Sequence, residues 1–251
     1  MAPSWVDSHC HLDFPAFAAD GEAVLARARE AGVTDVVVPS VAAEGWLGVL
    51  RLAGAPGVHA ALGLHPWWAA EHLDAHLDLL RSHLGAGEAV AVGECGLDFA
   101  RDIDRSLQLR WFREQLRLAS AYGLPVIVHA VRALDAVLQE LRAFPGLTGV
   151  IHGFSGSLQQ AERCIAAGFM LGIGPMVATS ARLSAIVRDM PLDSLLLETD
   201  APERPLAGSR GEPADVVQVG GIVAGIRHME AAALAGATAA NAYRLFAWRK
   251  P

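Results

Sequence analysis

The sequence predicts a single (β/α)8 barrel over residues 1–251, with departures from ideal symmetry allowed. Three observations predict it: eight short β-branched or aliphatic runs, helical patterns between them, and charged or imidazole side chains where most of the runs end. A length of 251 residues suits one such barrel, and a hydrophobic content of 53% is ample to fill its core. Proline is not concentrated anywhere and no segment repeats, so no linker or internal boundary is drawn.

The strand candidates are, in order, Trp5-Val6, Asp35 to Val38, Val58 to Leu62, Ala89 to Val92, Val126 to Val128, Gly149 to Ile151, Phe169 to Ile173 and Leu195 to Leu197. Their ends are roughly 20 to 35 residues apart, about what a strand, a loop and a returning helix require. Parallel neighbours need such crossovers. Ser106 to Ala121 carries apolar residues at a period near 3.6, and Gly123 follows as its stop, with Pro125 before the next strand. Ser157 to Ala167, punctuated by Gly168, and Thr238 to Trp248 read as further helices. An open doubly wound sheet would concentrate its polar groups near one switch point, and no GxGxxG loop follows the first strand.

The chemistry lies at the strand ends. The first run leads into Asp7-Ser8-His9-Cys10-His11, where a period of two turns both imidazoles to one side of an extended segment. The third leads into His65, the fourth into Glu94, the fifth into His129, the sixth into His152 and the eighth into Asp200. Any one of these is readily a satisfied core polar group. Six separately buried groups would each be costly, whereas a shared metal satisfies His9, His11, Glu94, His129, His152 and Asp200 together. The N/O donor set suits zinc, manganese or magnesium and excludes a thiolate site. It holds more donors than one tetrahedral ion needs, so two divalent ions are expected, with Glu94 as the bridging carboxylate. Lys250, the only lysine, stands next to the last residue, which leaves no lysine to be carbamylated as a bridge.

Composition bounds the partners. A net charge of −7 argues against tight nonspecific binding along duplex DNA, but not against DNA or another phosphate-bearing substrate held locally by ions. No run is long and apolar enough for a membrane span, and Met1 to Asp13 lacks the basic flank of a leader. Cys10, Cys95 and Cys164 form no CxxC pair and read as small buried hydrophobes in a reducing cytoplasm. No feature points to a protein partner. His59, His72, His76, His83 and His228 read as structural, with His72 and His76 at i,i+4 on one helical face. Arg101, Arg105, Arg110, Arg113 and Arg117 read as a solvated helix face whose first members are near enough to Glu94 to reach a substrate.

At these residues the chain resembles the TatD family of metal-dependent deoxyribonucleases. The matching segments are DSHCHLD (7–13), GLHP (63–66), GECGLDF (93–99), PVIVHA (125–130), IHGFSGS (151–157), LLLETDAP (195–202) and NAYRLF (241–246), in order over nearly the whole chain. The resemblance implies a barrel with a dinuclear site that hydrolyses DNA phosphodiesters, in several members as a 3′-to-5′ exonuclease. It implies that His9, His11, Glu94 and Asp200 hold one ion, that Glu94, His129 and His152 hold the other, and that His65 contacts the scissile phosphate. Two departures fall on the substrate side. An arginine is often found two residues after the fifth-strand histidine, but here Arg132 comes three after His129. The RG…NEP segment is shortened to Arg210-Gly211-Glu212-Pro213.

The expected mechanism has Asp200 accept a proton from the water that attacks phosphorus, while the ions bridged by Glu94 neutralise the developing charge and His65 and a nearby arginine orient the phosphate. The same donors would serve a hydrolase of a small amide, ester or lactone. A non-catalytic metal-binding scaffold is the remaining alternative, disfavoured because it has no chemical need for Asp200 and Glu94 together.

Overall fold

A computed structural model describes residues 4–206, 208 and 210–248; Met1 and Lys250, on which part of the sequence reading rests, lie outside them. The chain alternates strand and helix. In order, it forms β1 (Trp5–Asp7), α1 (Gly21–Glu30), β2 (Val33–Pro39), α2 (Trp46–Leu52), β3 (Val58–Leu62) and α3 (Asp74–Gly85). Then come β4 (Ala91–Asp98), α4 (Arg105–Tyr122), β5 (Val126–Val131), α5 (Leu134–Leu141), β6 (Gly149–Ile151) and α6 (Leu158–Ala166). The last elements are β7 (Phe169–Ile173), α7 (Ala181–Asp189), β8 (Leu195–Leu197), α8 (Val216–Arg227) and α9 (Ala231–Phe246). The eight strands pair in chain order, and each named pair is parallel. This is the (β/α)8 barrel the sequence predicts.

The barrel shuts beyond the ends of β1 and β8 rather than along a strand ladder. The N–H of Ser8 donates to the Leu197 carbonyl at 3.0 Å, that of Asp200 to His9 at 2.9 Å and that of His11 to Ala201 at 2.7 Å. The buried Asp7 carboxylate reinforces the seam by accepting from the Thr199 hydroxyl at 2.6 Å and its backbone N–H at 3.0 Å. Burial raises the Asp7 carboxyl well above its ordinary range, against the pull of the Thr199 bonds. The closure thus fixes the same short segments that carry His9, His11 and Asp200.

Alternation sorts the strand residues. Val6, Val37, Ala61, Ala91, Ile127, Val150, Met170 and Leu196, one from each strand, form an inner cluster, and Ala239, Ala242, Leu245 and Phe246 of α9 pack onto it. Residues between them, such as Val36, Val38, Val92 and Val128, join the larger core under the surrounding helices. The hydroxyl of Tyr243 on α9 donates to Asp35 near the start of β2, so α9 covers the end of the barrel opposite the strand C-termini.

Several boundaries differ from the sequence reading. β4 begins at Ala91 rather than Ala89 and runs through Glu94 to Asp98, because Cys95 to Asp98 pair in register with Val128 to Val131 although Gly93 and Gly96 look like punctuation. β2 and β5 are likewise longer than their apolar runs. α9 starts at Ala231 and stops at Phe246, so Trp248 lies outside it; it opens on three alanines, which show little amphipathic contrast. His72 precedes α3, so it shares no helical face with His76. Gly123 does end α4, in the left-handed region at φ 64°.

Candidate metal centre

The strand ends bring His9, His11, His65, Glu94, His129, His152 and Asp200 to one mouth of the barrel. Glu94 is central. Its Oε2 is 3.2 Å from His9 Nε2 and 3.4 Å from His11 Nε2. Its Oε1 is 3.2 Å from His65 Nε2, 2.9 Å from His129 Nδ1 and 3.0 Å from His152 Nε2. Asp200 Oδ1 stands 3.7 Å from both His9 Nε2 and His11 Nε2. The five histidines and Glu94 are buried, whereas the Asp200 side chain keeps 21% of its surface exposed. Asp200 also has a φ of 55°, a left-handed conformation that aspartate tolerates better than most residues.

The outer nitrogen of each ring decides what its inner nitrogen offers. His11 Nδ1 faces the Pro39 carbonyl at 3.1 Å, and His129 Nε2 faces Asp98 Oδ2 at 3.1 Å. Both outer atoms must therefore donate, which leaves His11 Nε2 and His129 Nδ1 as bare lone pairs in the neutral rings. His152 Nδ1 lies 3.6 Å from Glu198 Oε1, beyond hydrogen-bond reach, and has no hydrogen-bond partner among the described residues. His65 is reversed: its Nδ1 accepts from the Trp67 backbone N–H at 3.2 Å, so the proton of the neutral ring is on Nε2. Five rings border the carboxylate, and among them His65 presents a donor where His11 and His129 present acceptors. His9 Nδ1 has no hydrogen-bond partner among the described residues.

These donors fit a divalent cation. His9 Nε2 and His11 Nε2 approach to 3.2 Å, and His129 Nδ1 and His152 Nε2 to 3.4 Å. Such contacts set lone pair against lone pair unless a proton or a cation lies between. Three overlapping groups have donor atoms all within 4.8 Å of one another: His9, Glu94 and His152; His9, His11 and Asp200; His65, Glu94 and His129. Their chemistry is imidazole and carboxylate without thiolate, as Cys10 and Cys95 are buried free thiols outside all three groups.

The electrostatics follow from crowding charge in a buried place. Burial by itself would raise the Glu94 carboxyl, but the surrounding imidazoles, His152 foremost, hold it well below the usual range. Burial pushes the His65 imidazole down to about 4 against the attraction of Glu94, which keeps the ring neutral. His152 is raised well above its ordinary value, because Glu94 and Glu198 overcome its burial.

Several residues that the sequence reading did not place at the site support the cluster, His72, read as structural, among them. Glu198 Oε1 accepts the Gly153 N–H at 2.5 Å beside His152. Asp98 accepts from Trp67 Nε1 at 2.7 Å as well as facing His129. His72 Nε2 contacts the His65 carbonyl at 2.9 Å. From α4, the Gln108 side chain bonds both backbone groups of Asp98 and the Gln115 side chain bonds both of Leu64. The signal for the glutamines is visible in retrospect: Gln108, Trp111, Phe112 and Gln115 fall at i, i+3, i+4 and i+7 on the buried face.

The arginine patch divides. Arg110, Arg113 and Arg117 pair with Asp74, Glu140 and Glu114 as a solvated face would. Arg110 also lies over the Trp111 ring, whereas Arg101 and Arg105, over the rings of Trp67 and Phe99, have no carboxylate partner among the described residues. Arg210 points to α1, pairing with Asp20 at 2.8 Å and with Glu212 at 2.7 Å. Arg132 borders a cleft of about 460 Å³ together with Phe99, Ser155 and Gly156.

A closed parallel barrel with buried histidines and carboxylates at the strand C-termini is the layout of the metal-dependent barrel hydrolases. The family described as TatD related DNase matches residues 6–247, and the chain belongs to that family. It is 42% identical to the metal-dependent hydrolase YjjV of Escherichia coli strain K12, over 98% of this chain and 99% of that protein. It is 36% identical to the 3′-5′ ssDNA/RNA exonuclease TatD of Erwinia billingiae, over 96% of this chain and 98% of that one. The crystal structure of the Escherichia coli YjjV protein superposes with a TM-score of 0.92 at 40% identity, covering 98% of each chain.

Proposed function

We propose that the 251 residues act as one hydrolase domain that cleaves phosphodiester bonds of single-stranded nucleic acid from the 3′ end, using two divalent ions. His9, His11, Glu94 and Asp200 would hold one ion; Glu94, His129 and His152 would hold the other. Zinc, manganese and magnesium all suit this donor set. The observation that carries the reading is the split among the rings: His11 and His129 turn bare nitrogens toward Glu94, while His65 turns a donor there. Ligands and a phosphate contact require opposite polarities, and both are present. The substrate class rests on family membership and on the exonuclease names of relatives such as the Erwinia protein.

Bound ions would acidify a water and neutralise charge on the phosphoryl group. The chain's own groups do the rest. Asp200, the carboxylate with access to solvent, accepts the proton of the attacking water. His65, neutral because burial depresses its imidazole, donates Nε2–H to a phosphate oxygen. Asp98 and the Pro39 carbonyl hold the tautomers of His129 and His11. No helix among the described residues is long and apolar enough to cross a membrane. Three free buried cysteines support a reducing location such as the cytoplasm.

The test combines metal content with cleavage by one preparation. Purified protein is analysed for bound metal and then given 5′-labelled single-stranded DNA, plus small esters, amides and lactones, with manganese or magnesium added. A ladder shortening from the 3′ end, with the carbonyl substrates untouched, is expected. Turnover of an ester or lactone with intact DNA would replace the reading by a carbonyl hydrolase, and no turnover of either by metal-loaded protein would leave a scaffold.

A further inference from the structure

We propose that an arginine–aromatic track on the loops after β3, β4 and β5 and the start of α4 binds the two nucleobases nearest the cleaved phosphate, Trp67 and Arg101 taking the first and Phe99, Arg105 and Arg132 the second. The inference rests on the nuclease reading and deepens it by assigning the bases a site of their own.

Trp67 follows His65 by two residues and is 39% exposed. Its ring centroid lies 5.0 Å from that of His65 and 5.9 Å from that of His129, so a group on its face is next to the metal centre. The indole does not swing freely, because its Nε1–H is held by Asp98 at 2.7 Å. The Arg101 guanidinium stacks 3.6 Å above the ring centroid. One step further along the same rim, Phe99 follows Asp98 and carries the Arg105 guanidinium at 4.4 Å. Phe99 in turn borders the cleft of about 460 Å³ that Arg132, Ser155 and Gly156 also line.

The division of the arginines gives the track its meaning. The chain has a net charge of −7, so its surface as a whole repels a polyanion and cations must be placed locally. Arg110, Arg113 and Arg117 are already engaged with carboxylates. Arg101 and Arg105 have no carboxylate partner among the described residues; both are exposed, and both hold the guanidinium over an aromatic ring beside the site. A guanidinium on an aromatic ring offers a planar face to a base and N–H donors to a phosphate, the combination by which single strands are bound without sequence preference. Paired bases of a duplex have no free faces for such stacking, so the site selects an unpaired 3′ end.

The experiment compares kcat/KM of the metal-loaded enzyme on three substrates. These are a single-stranded deoxyoligonucleotide, the same strand with its two 3′-terminal bases removed to leave abasic sugars, and a chromogenic phosphodiester that carries no base. The wild type is expected to prefer the complete strand over the abasic one by about tenfold, chiefly through KM, as stacking energies imply. Trp67→Ala is expected to abolish most of that preference, and Trp67→Phe, which restores a ring but not the bond to Asp98, to recover most of it. Arg101→Gln and Phe99→Leu are expected to lower it several-fold, and they carry the test if Trp67→Ala does not fold. Equal rates of the wild type on complete and abasic strands would overturn the track, as would an undiminished preference in Arg101→Gln and Phe99→Leu. Failure of the wild type to cleave any of the three would overturn the phosphodiesterase reading itself, and the track with it.

Discussion

Asp98 Oδ2 lies 3.1 Å from His129 Nε2, on the opposite edge of the ring from the one that meets Glu94. A carboxylate there keeps the proton on the outer nitrogen and leaves the inner one free to bind an ion. Burial would raise the Asp98 carboxyl, yet the bonds from His129 and Trp67 hold it below the ordinary range, so it stays an acceptor. Asp98→Asn is therefore expected to weaken ion binding by about 10- to 100-fold with little change in fold. Competition against a chelator measures this, and unchanged affinity would remove Asp98 from that role.

Asp200 is the proposed proton acceptor and the most accessible of the proposed ligands, with 21% of its side-chain surface exposed. Asp200→Asn keeps the size of the side chain and loses its basicity. Turnover of single-stranded DNA is expected to fall by roughly 10²- to 10⁴-fold while the thermal midpoint stays near the wild-type value. Near-normal rates would show that another group takes the proton.

Glu198 depends on the absence of a side chain opposite it. A Cβ at Gly172 would stand 2.1 Å from Glu198 Oε2, so Gly172→Ala must displace the carboxylate that holds the Gly153 N–H beside His152. Overpacking of this kind costs about 1–3 kcal/mol. A thermal midpoint lowered by several degrees and reduced activity are expected from calorimetry and kinetics; an unaltered midpoint would mean that Glu198 moves without cost.

At the other end of the barrel, Asp35 accepts from Tyr243 at 2.9 Å and lies 2.8 Å from His59 Nε2, tying α9 to β2 and β3. Burial would raise the Asp35 carboxyl, but the bonds from His59, Thr34 and Tyr243 bring it below its ordinary value. A folded-state pKa that is depressed contributes stability above the unfolded pKa of about 3.9 and loses it as pH falls through the folded value. Wild type should exceed Asp35→Asn in stability by a constant margin above about pH 5, and the margin should shrink below pH 4. Denaturant titrations across that range check it, and a margin independent of pH would contradict it.

The barrel is legible in the sequence because β6, β7 and β8 are unbroken apolar runs and β3 is interrupted only by His59, and their observed bounds match the runs. The seven candidate residues stand out for a related reason: each follows an apolar run, where an imidazole or carboxylate is conspicuous. β4 is harder to bound. Its stretch Gly93 to Gly96 looks like a turn in hydropathy, and only pairing with β5 reveals a strand continuing to Asp98. Residues that support the site are hidden because their partners are distant in the chain: Gln115 holds Leu64 from 51 positions away, and Thr199 meets Asp7 across 192. Ring tautomers depend on such partners, so the difference between His65 and His129 emerges only in three dimensions.

The account stands most directly on where cations bind. Crystals grown with manganese and measured for anomalous scattering should show two peaks, one among His9, His11, Glu94 and Asp200 and one among Glu94, His129 and His152, both absent or much weakened in Glu94→Gln. Peaks remote from Glu94, or none at saturating manganese, would contradict it.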